Sequence, residues 1–225
     1  MLSLYRPIAL YLLLLMSIAL FLLLAMSLFL FGCAPGDIGS SSVASPTVSP
    51  TYWMTGHEHE DDAAKFAAMY PVSEDNPFLI ASFDEAVRHF EIGTGILVFG
   101  FPECPRCHNA FPVLEKAFRE MGMDQHEGYN GKILYYDIFD DREADSERYR
   151  ALVKYTESFL RLDDNGNPRI YSPDVFFVSS GVIVGNHLDT VPSLTNPRDM
   201  LNDEQEAELM GIYMDLMAKM EDCGC

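Results

Sequence analysis

Two cysteines three residues apart, Cys104 and Cys107, are the side chains of this 225-residue chain best suited to covalent chemistry. On the first turn of a helix, residues i and i+3 share a face and lie close enough for their sulfurs to bridge. Cys104 is expected at the helix N-terminus, where free amide donors and the helix dipole stabilise an anion and lower a thiol pKa. That makes Cys104 the nucleophile, and Cys107, one turn further in, the thiol that resolves a mixed disulfide. Pro105 suits an early helix position, and Arg106 adds a positive charge favouring thiolate. Glu103, directly before the pair, works the other way, because a neighbouring carboxylate raises a thiol pKa. A CxxC pair also has other uses. It is half of a four-ligand zinc site, and with His108 it spells the Cys-x-x-Cys-His of c-type haem attachment.

The elements around the pair are legible from pattern. Ser82 followed by Glu85 is a capping box, so a helix is predicted from there to about Gly93. The apolar run 96–101, bounded by Gly95 and Pro102, reads as a buried strand that delivers the cysteines. Cys107, Ala110, Phe111, Leu114 and Phe118 recur at helical spacing, predicting a helix over 104–121 that stops at Gly122. A strand is expected over 132–139 and a helix over 144–162, closed by the turn-forming Asp163-Asp164-Asn165-Gly166-Asn167-Pro168. Residues 174–179 and 182–186 form a predicted hairpin across Ser180-Gly181, and a last helix covers 203–220. Leu209, Ile212, Tyr213 and Leu216 give that helix a core face, and core packing also explains Met210, Met214, Met217 and Met220. The order is helix, strand, helix, strand, helix, hairpin, helix, which predicts an α/β sheet with helices on both faces.

The phrase Phe99-Gly100-Phe101-Pro102-Glu103-Cys104-Pro105-Arg106-Cys107 resembles the thioredoxin superfamily, and within it the envelope-bound thioredoxin-like proteins related to bacteriocin transport accessory proteins. Pro112, eight residues after the first cysteine, matches that family's helix proline, a residue otherwise costly inside a helix. Ser172-Pro173 resembles its cis-proline loop, and Gly181 matches the turn of the following hairpin. The resemblance implies a thioredoxin-like fold, a central mixed β-sheet flanked by helices, with 144–162 as a helical insertion. It implies thiol–disulfide oxidoreductase activity without a cofactor or metal: Cys104 attacks, Cys107 resolves, and Ser172 and Pro173 face the CxxC and pair with substrate backbone. The chain departs from the best-known members at two positions. Glu103 stands where a Trp precedes the first cysteine, and Val98 where a buried Asp lies six residues before it. A non-enzymatic binding or accessory protein, holding a secreted peptide or metal on the same platform with the disulfide structural, is the competing expectation.

The remainder bears on location and partners. Residues 7–31 are apolar apart from Ser17 and Ser27, and Arg6 is the only charge before Asp37. Such a stretch suffices to span a bilayer, with Arg6 cytoplasmic and the rest of the chain outside. Leu30-Phe31-Gly32-Cys33 resembles a lipobox, so a lipidated Cys33 and an uncleaved transmembrane helix both stand for 1–33. Either places the protein at the cell membrane, its soluble domain on the extracytoplasmic side. Residues 34–75 read as a flexible linker, 76–220 as the folded domain and 221–225 as a tail. His57-Glu58-His59-Glu60 could bind a divalent metal, but four adjacent linker residues make a poor preformed site. Segment 1–33 holds one of the 15 basic and none of the 34 acidic side chains, leaving the exported part at 14 against 34, a net charge of −20. Nucleic acid, which needs a positive footprint, is excluded as a partner. The partners expected are exported proteins or peptides with thiols or disulfides, and a membrane redox partner for recycling. Cys223 and Cys225 at the chain end form a candidate second redox pair, against the plainer reading of an untied tail with exposed thiols.

Overall fold

In the computed structural model, which describes residues 59–125 and 131–222, a helix α1 (Asp62–Met69) leads into a short strand β1 (Phe78–Ile80). There follow α2 (Phe83–Ile92), β2 (Gly95–Gly100), α3 (Pro105–Glu120), β3 (Ile133–Asp137), α4 (Phe139–Glu143) and α5 (Glu147–Thr156). The strand pair β4 (Arg161–Leu162) and β5 (Pro168–Arg169), the hairpin β6 (Asp174–Ser179) and β7 (Val182–Leu188), and α6 (Asp203–Asp222) complete the chain. The main sheet has the order β1-β3-β2-β6-β7, mixed because β1 and β2 run parallel to β3 while β6 runs antiparallel to both β2 and β7. β4 and β5 pair separately.

Every residue of β2 and β6 is buried, the mark of strands covered on both faces. Alternation along them sorts the core into two layers. Ile96, Val98, Val175 and Phe177 pack with Phe66 of α1, Phe111 and Leu114 of α3, and Leu209, Tyr213 and Met217 of α6. Leu97, Phe99, Phe176 and Val178 face the opposite layer, with Phe90 of α2 and Leu152 of α5. The architecture is α/β, a mixed five-stranded sheet flanked by helices. The last helix packs as its periodicity predicts, with Leu209, Tyr213, Met217 and Met220 fully buried.

Two expectations change. The folded region begins earlier than residue 76, because α1 lies inside the stretch 34–75 read as linker; a short, polar-flanked element carries little periodicity. The helix expected over 144–162 is shorter: α5 starts only at Glu147, after Asp145 adopts a left-handed φ of 44° and Ser146 caps it, while the one-turn helix α4 precedes that range and takes the end of the strand expected over 132–139. The end of α5 unwinds through a 3-10 turn at Glu157–Phe159 into β4. Among the described residues no helix is long and apolar enough to cross a membrane. The anchor expected over 1–33, Cys33, most of the linker with His57 and Glu58, and Cys223 and Cys225 lie outside the described residues.

Candidate active site around Cys104 and Cys107

β2 ends at Gly100, a position where any Cβ would stand 2.7 Å from the Phe111 ring. The glycine thus lets α3 settle directly over the strand that precedes it. The chain turns through Phe101-Pro102-Glu103, closed by a hydrogen bond from Cys104 N–H to the Phe101 carbonyl at 3.0 Å. Cys104 is the N-cap of α3 and Pro105 its first residue. The Cys107 N–H donates to Cys104 Sγ at 3.2 Å, so a free helical donor points at the expected nucleophile. The two cysteines are joined as a disulfide with Cα atoms 5.3 Å apart. Cys104 is 3% exposed and Cys107 0%, so of the pair only Cys104 touches solvent.

Opposite lies the loop before β6. The Ser172-Pro173 bond is cis, and the Ser172 carbonyl oxygen sits 3.5 Å from Cys104 Sγ. The Ser172 hydroxyl is shielded and has no hydrogen-bond partner among the described residues. Cys104, Pro105, Arg106, Cys107, Ser172 and Pro173, separated by up to 69 positions, therefore form one cluster.

The charges nearby are arranged differently from the sequence expectation. Arg106 does not lean on the sulfur: its guanidinium donates to Asp189 Oδ1 at 2.6 Å and lies 3.5 Å from Thr190 Oγ1. On the other flank, Pro102, Glu103, Asp137, Phe139 and Asp140 line a cavity of about 460 Å³. Burial raises the Asp137 pKa, and the Asp140 and Glu103 carboxylates add to it, despite a hydrogen bond from Phe139 N–H. Arg142 lies over the Phe101 and Phe139 rings beside this acidic pocket. His108 does not project freely. Its Nε2 donates to the Pro102 carbonyl at 2.8 Å, and the ring packs 5.2 Å from that of Tyr70. Among the described residues no group of three or more His, Cys, Asp or Glu side chains is arranged to hold a metal ion.

Val98, where an acid could have served the resolving thiol, is wholly buried in the layer that holds Cys107. A buried acid does exist one strand away. Asp174 follows Pro173 directly and pairs with Phe99, so it points to the opposite layer; it accepts from Asn186 Nδ2 at 2.8 Å. Burial pushes its carboxyl up to about 8. Sequence reading missed both Asp174 and Asp189. The first had a signal, an acid opening an otherwise apolar strand; the second had none, since no spacing links 189 to 106. Comparison with protein-family models, with curated proteins and with solved structures finds no match to this chain.

Proposed function

We propose that the chain is a membrane-tethered, extracytoplasmic thiol–disulfide oxidoreductase of thioredoxin-like fold, acting on thiols and disulfides of exported proteins or peptides. One observation carries the proposal: a solvent-touching sulfur at a helix N-cap, bridged to a buried sulfur one turn inward and facing the Ser172-Pro173 loop. The strand order, with β2 leading straight into α3, supports the thioredoxin-like reading of the fold.

In the reducing direction the Cys104 thiolate attacks a substrate disulfide. A Cys104–substrate S–S bond forms, the substrate S–S bond breaks, and the leaving sulfur departs as thiolate and takes up a proton. The Cys107 thiolate then attacks Cys104 Sγ, which regenerates the bridge between them and releases the second substrate sulfur. Two electrons and two protons pass from protein to substrate. The reverse sequence oxidises a substrate dithiol, and the net direction follows the potential of the recycling partner. The helix N-terminus favours the Cys104 thiolate in either direction, and Pro173 and the Ser172 carbonyl offer an edge along which substrate backbone lies beside the sulfur.

Cys104→Ser is expected to lose insulin-disulfide reduction and dithiol oxidation at least a hundredfold while melting like the reduced parent, since both lack the cross-link. Full activity in that variant would overturn the assignment. A disulfide that resists mild reductants, followed by intact mass, would instead favour the non-enzymatic binding protein.

A further inference from the structure

We propose that Asp189 is a positioning residue of the dithiol centre, holding the Arg106 guanidinium against the loop after β7 and so limiting the positive charge that reaches Cys104. The inference rests on Cys104 being the attacking sulfur.

Arg106 is the second residue of α3, close to the N-cap sulfur, and a guanidinium there would add its full charge to the helix N-terminus. Asp189 intercepts it. Asp189 adopts a left-handed backbone, φ 78°, a conformation that Asp tolerates better than most side chains. Its carboxylate accepts from Arg106 at 2.6 Å and from Thr190 N–H at 2.7 Å. Its own N–H donates to the Pro173 carbonyl at 2.8 Å. One residue thereby links the helix bearing the cysteines to the loop facing them, and it neutralises the nearest cation on α3.

The other charged or titratable neighbours do not supply that charge. Glu103, Asp137 and Asp140 flank the centre from the turn, β3 and α4, with Arg142 behind them over Phe101 and Phe139. His108 and His187, on α3 and β7, are bonded to the carbonyls of Pro102 and Thr190, and burial lowers the pKa of His187. Tyr70, at the end of α1, meets the His108 ring and the Tyr135 hydroxyl. Arg142 stands among those acids, which leaves Arg106 as the cation on the first turn of α3, and its guanidinium is paired with Asp189.

The test reads the reduced full-length protein by the pH dependence of iodoacetamide alkylation at Cys104, resolved by peptide mass. Asp189→Asn is expected to lower the midpoint by about half a unit, with roughly threefold faster alkylation below it, as a unit charge at this range predicts. Arg106→Met is expected to raise the midpoint similarly, and the double variant to return close to the original value. A purely structural role would not give opposite signs. Unchanged midpoints, or shifts in the same direction for both single variants, would overturn the proposal. Should Asp189→Asn lose its native melt, Arg106→Met against Arg106→Lys decides: a rise only with Met supports it, and equal midpoints refute it. Alkylation needs no protein substrate, so the result stands apart from whether the protein turns over disulfides.

Discussion

At the scale of single residues, the buried acids show what the sequence conveys and what only packing reveals. Asp174 is 1% exposed, its carboxylate met by one amide donor, and burial lifts its pKa from 3.8 to about 8. The sign follows by linkage. The folded state keeps the proton that the unfolded chain loses near pH 4, so the Asp174 contribution to stability is intact below about pH 3.8 and lost as pH rises through about 8. Asp174→Asn keeps an acceptor for Asn186 and removes the titration. It is expected to melt like the parent near pH 4 and to gain a few kcal/mol over it at pH 8, measured by urea unfolding at both pH values. Equal stabilities at pH 8 would show that Asp174 is not held neutral. The cysteine pair, Pro105 and the Ser172-Pro173 loop were all legible because each is a local signature. The effect of Arg106 was not, because it depends on a carboxylate 83 positions away. Charge at a site belongs to the fold, and only residue type belongs to the sequence.

At the scale of elements, local chemistry that specifies its own geometry was read correctly, and elements defined by tertiary packing were not. The capping box at Ser82 forms as predicted, its hydroxyl receiving the Glu85 N–H and the Glu85 carboxylate receiving the Ser82 N–H. The β6–β7 hairpin turns on Ser180 and Gly181, both left-handed, φ 51° and 77°, as a two-residue turn between paired Ser179 and Val182 requires. Gly181 has a second constraint that no sequence shows: its N–H donates to the Gly93 carbonyl at 2.7 Å, and a Cβ there would stand 2.2 Å from the Glu91 carbonyl oxygen. The turn is thus docked on the end of α2. Gly181→Ala is expected to cost at least about 2 kcal/mol, combining left-handed strain with a backbone clash, in denaturant unfolding. A loss below about 0.5 kcal/mol would mean the turn detaches from α2 freely. The same contrast explains the late start of α5 after Asp145. The apolar spacing that marks the helix begins only at Tyr149, whereas its start is set by the left-handed backbone at Asp145 and the cap at Ser146. β1 and α1 went unread because three apolar residues and one helix of eight give too few periods to stand out.

At the scale of the whole molecule, the boundary between tether and domain changes what the minimal folded unit is. His59, assigned by composition to a linker, is clasped between Asp62 and Glu85 at 2.6 and 2.7 Å, and Asp62 also receives the Ile80 N–H. Burial pulls the His59 pKa down, but the two carboxylates outweigh it and hold it above 6.5. Its pairing therefore stabilises the fold fully below pH 6.5 and fades as pH rises beyond the raised value. Behind the clasp, Phe66 stacks on Phe78 with centroids 4.1 Å apart, and the Tyr70 hydroxyl meets that of Tyr135 at 3.0 Å. Tyr70 also lies edge-on to Phe111, beneath the helix that carries the cysteines. Losing a buried aromatic costs roughly 3 to 5 kcal/mol, and a domain this size holds on the order of 5 to 15 in total. Removing both rings consumes most of that margin and opens the layer under α3. A chain lacking residues 1–58 is therefore expected to melt cooperatively within a few degrees of one lacking only 1–33. A chain lacking 1–75 is expected to lose the cooperative transition and the protection of Cys107 from alkylation. Calorimetry on the three truncations reads this directly, and a native-like melt for the shortest would mean that α1 is an accessory to the core.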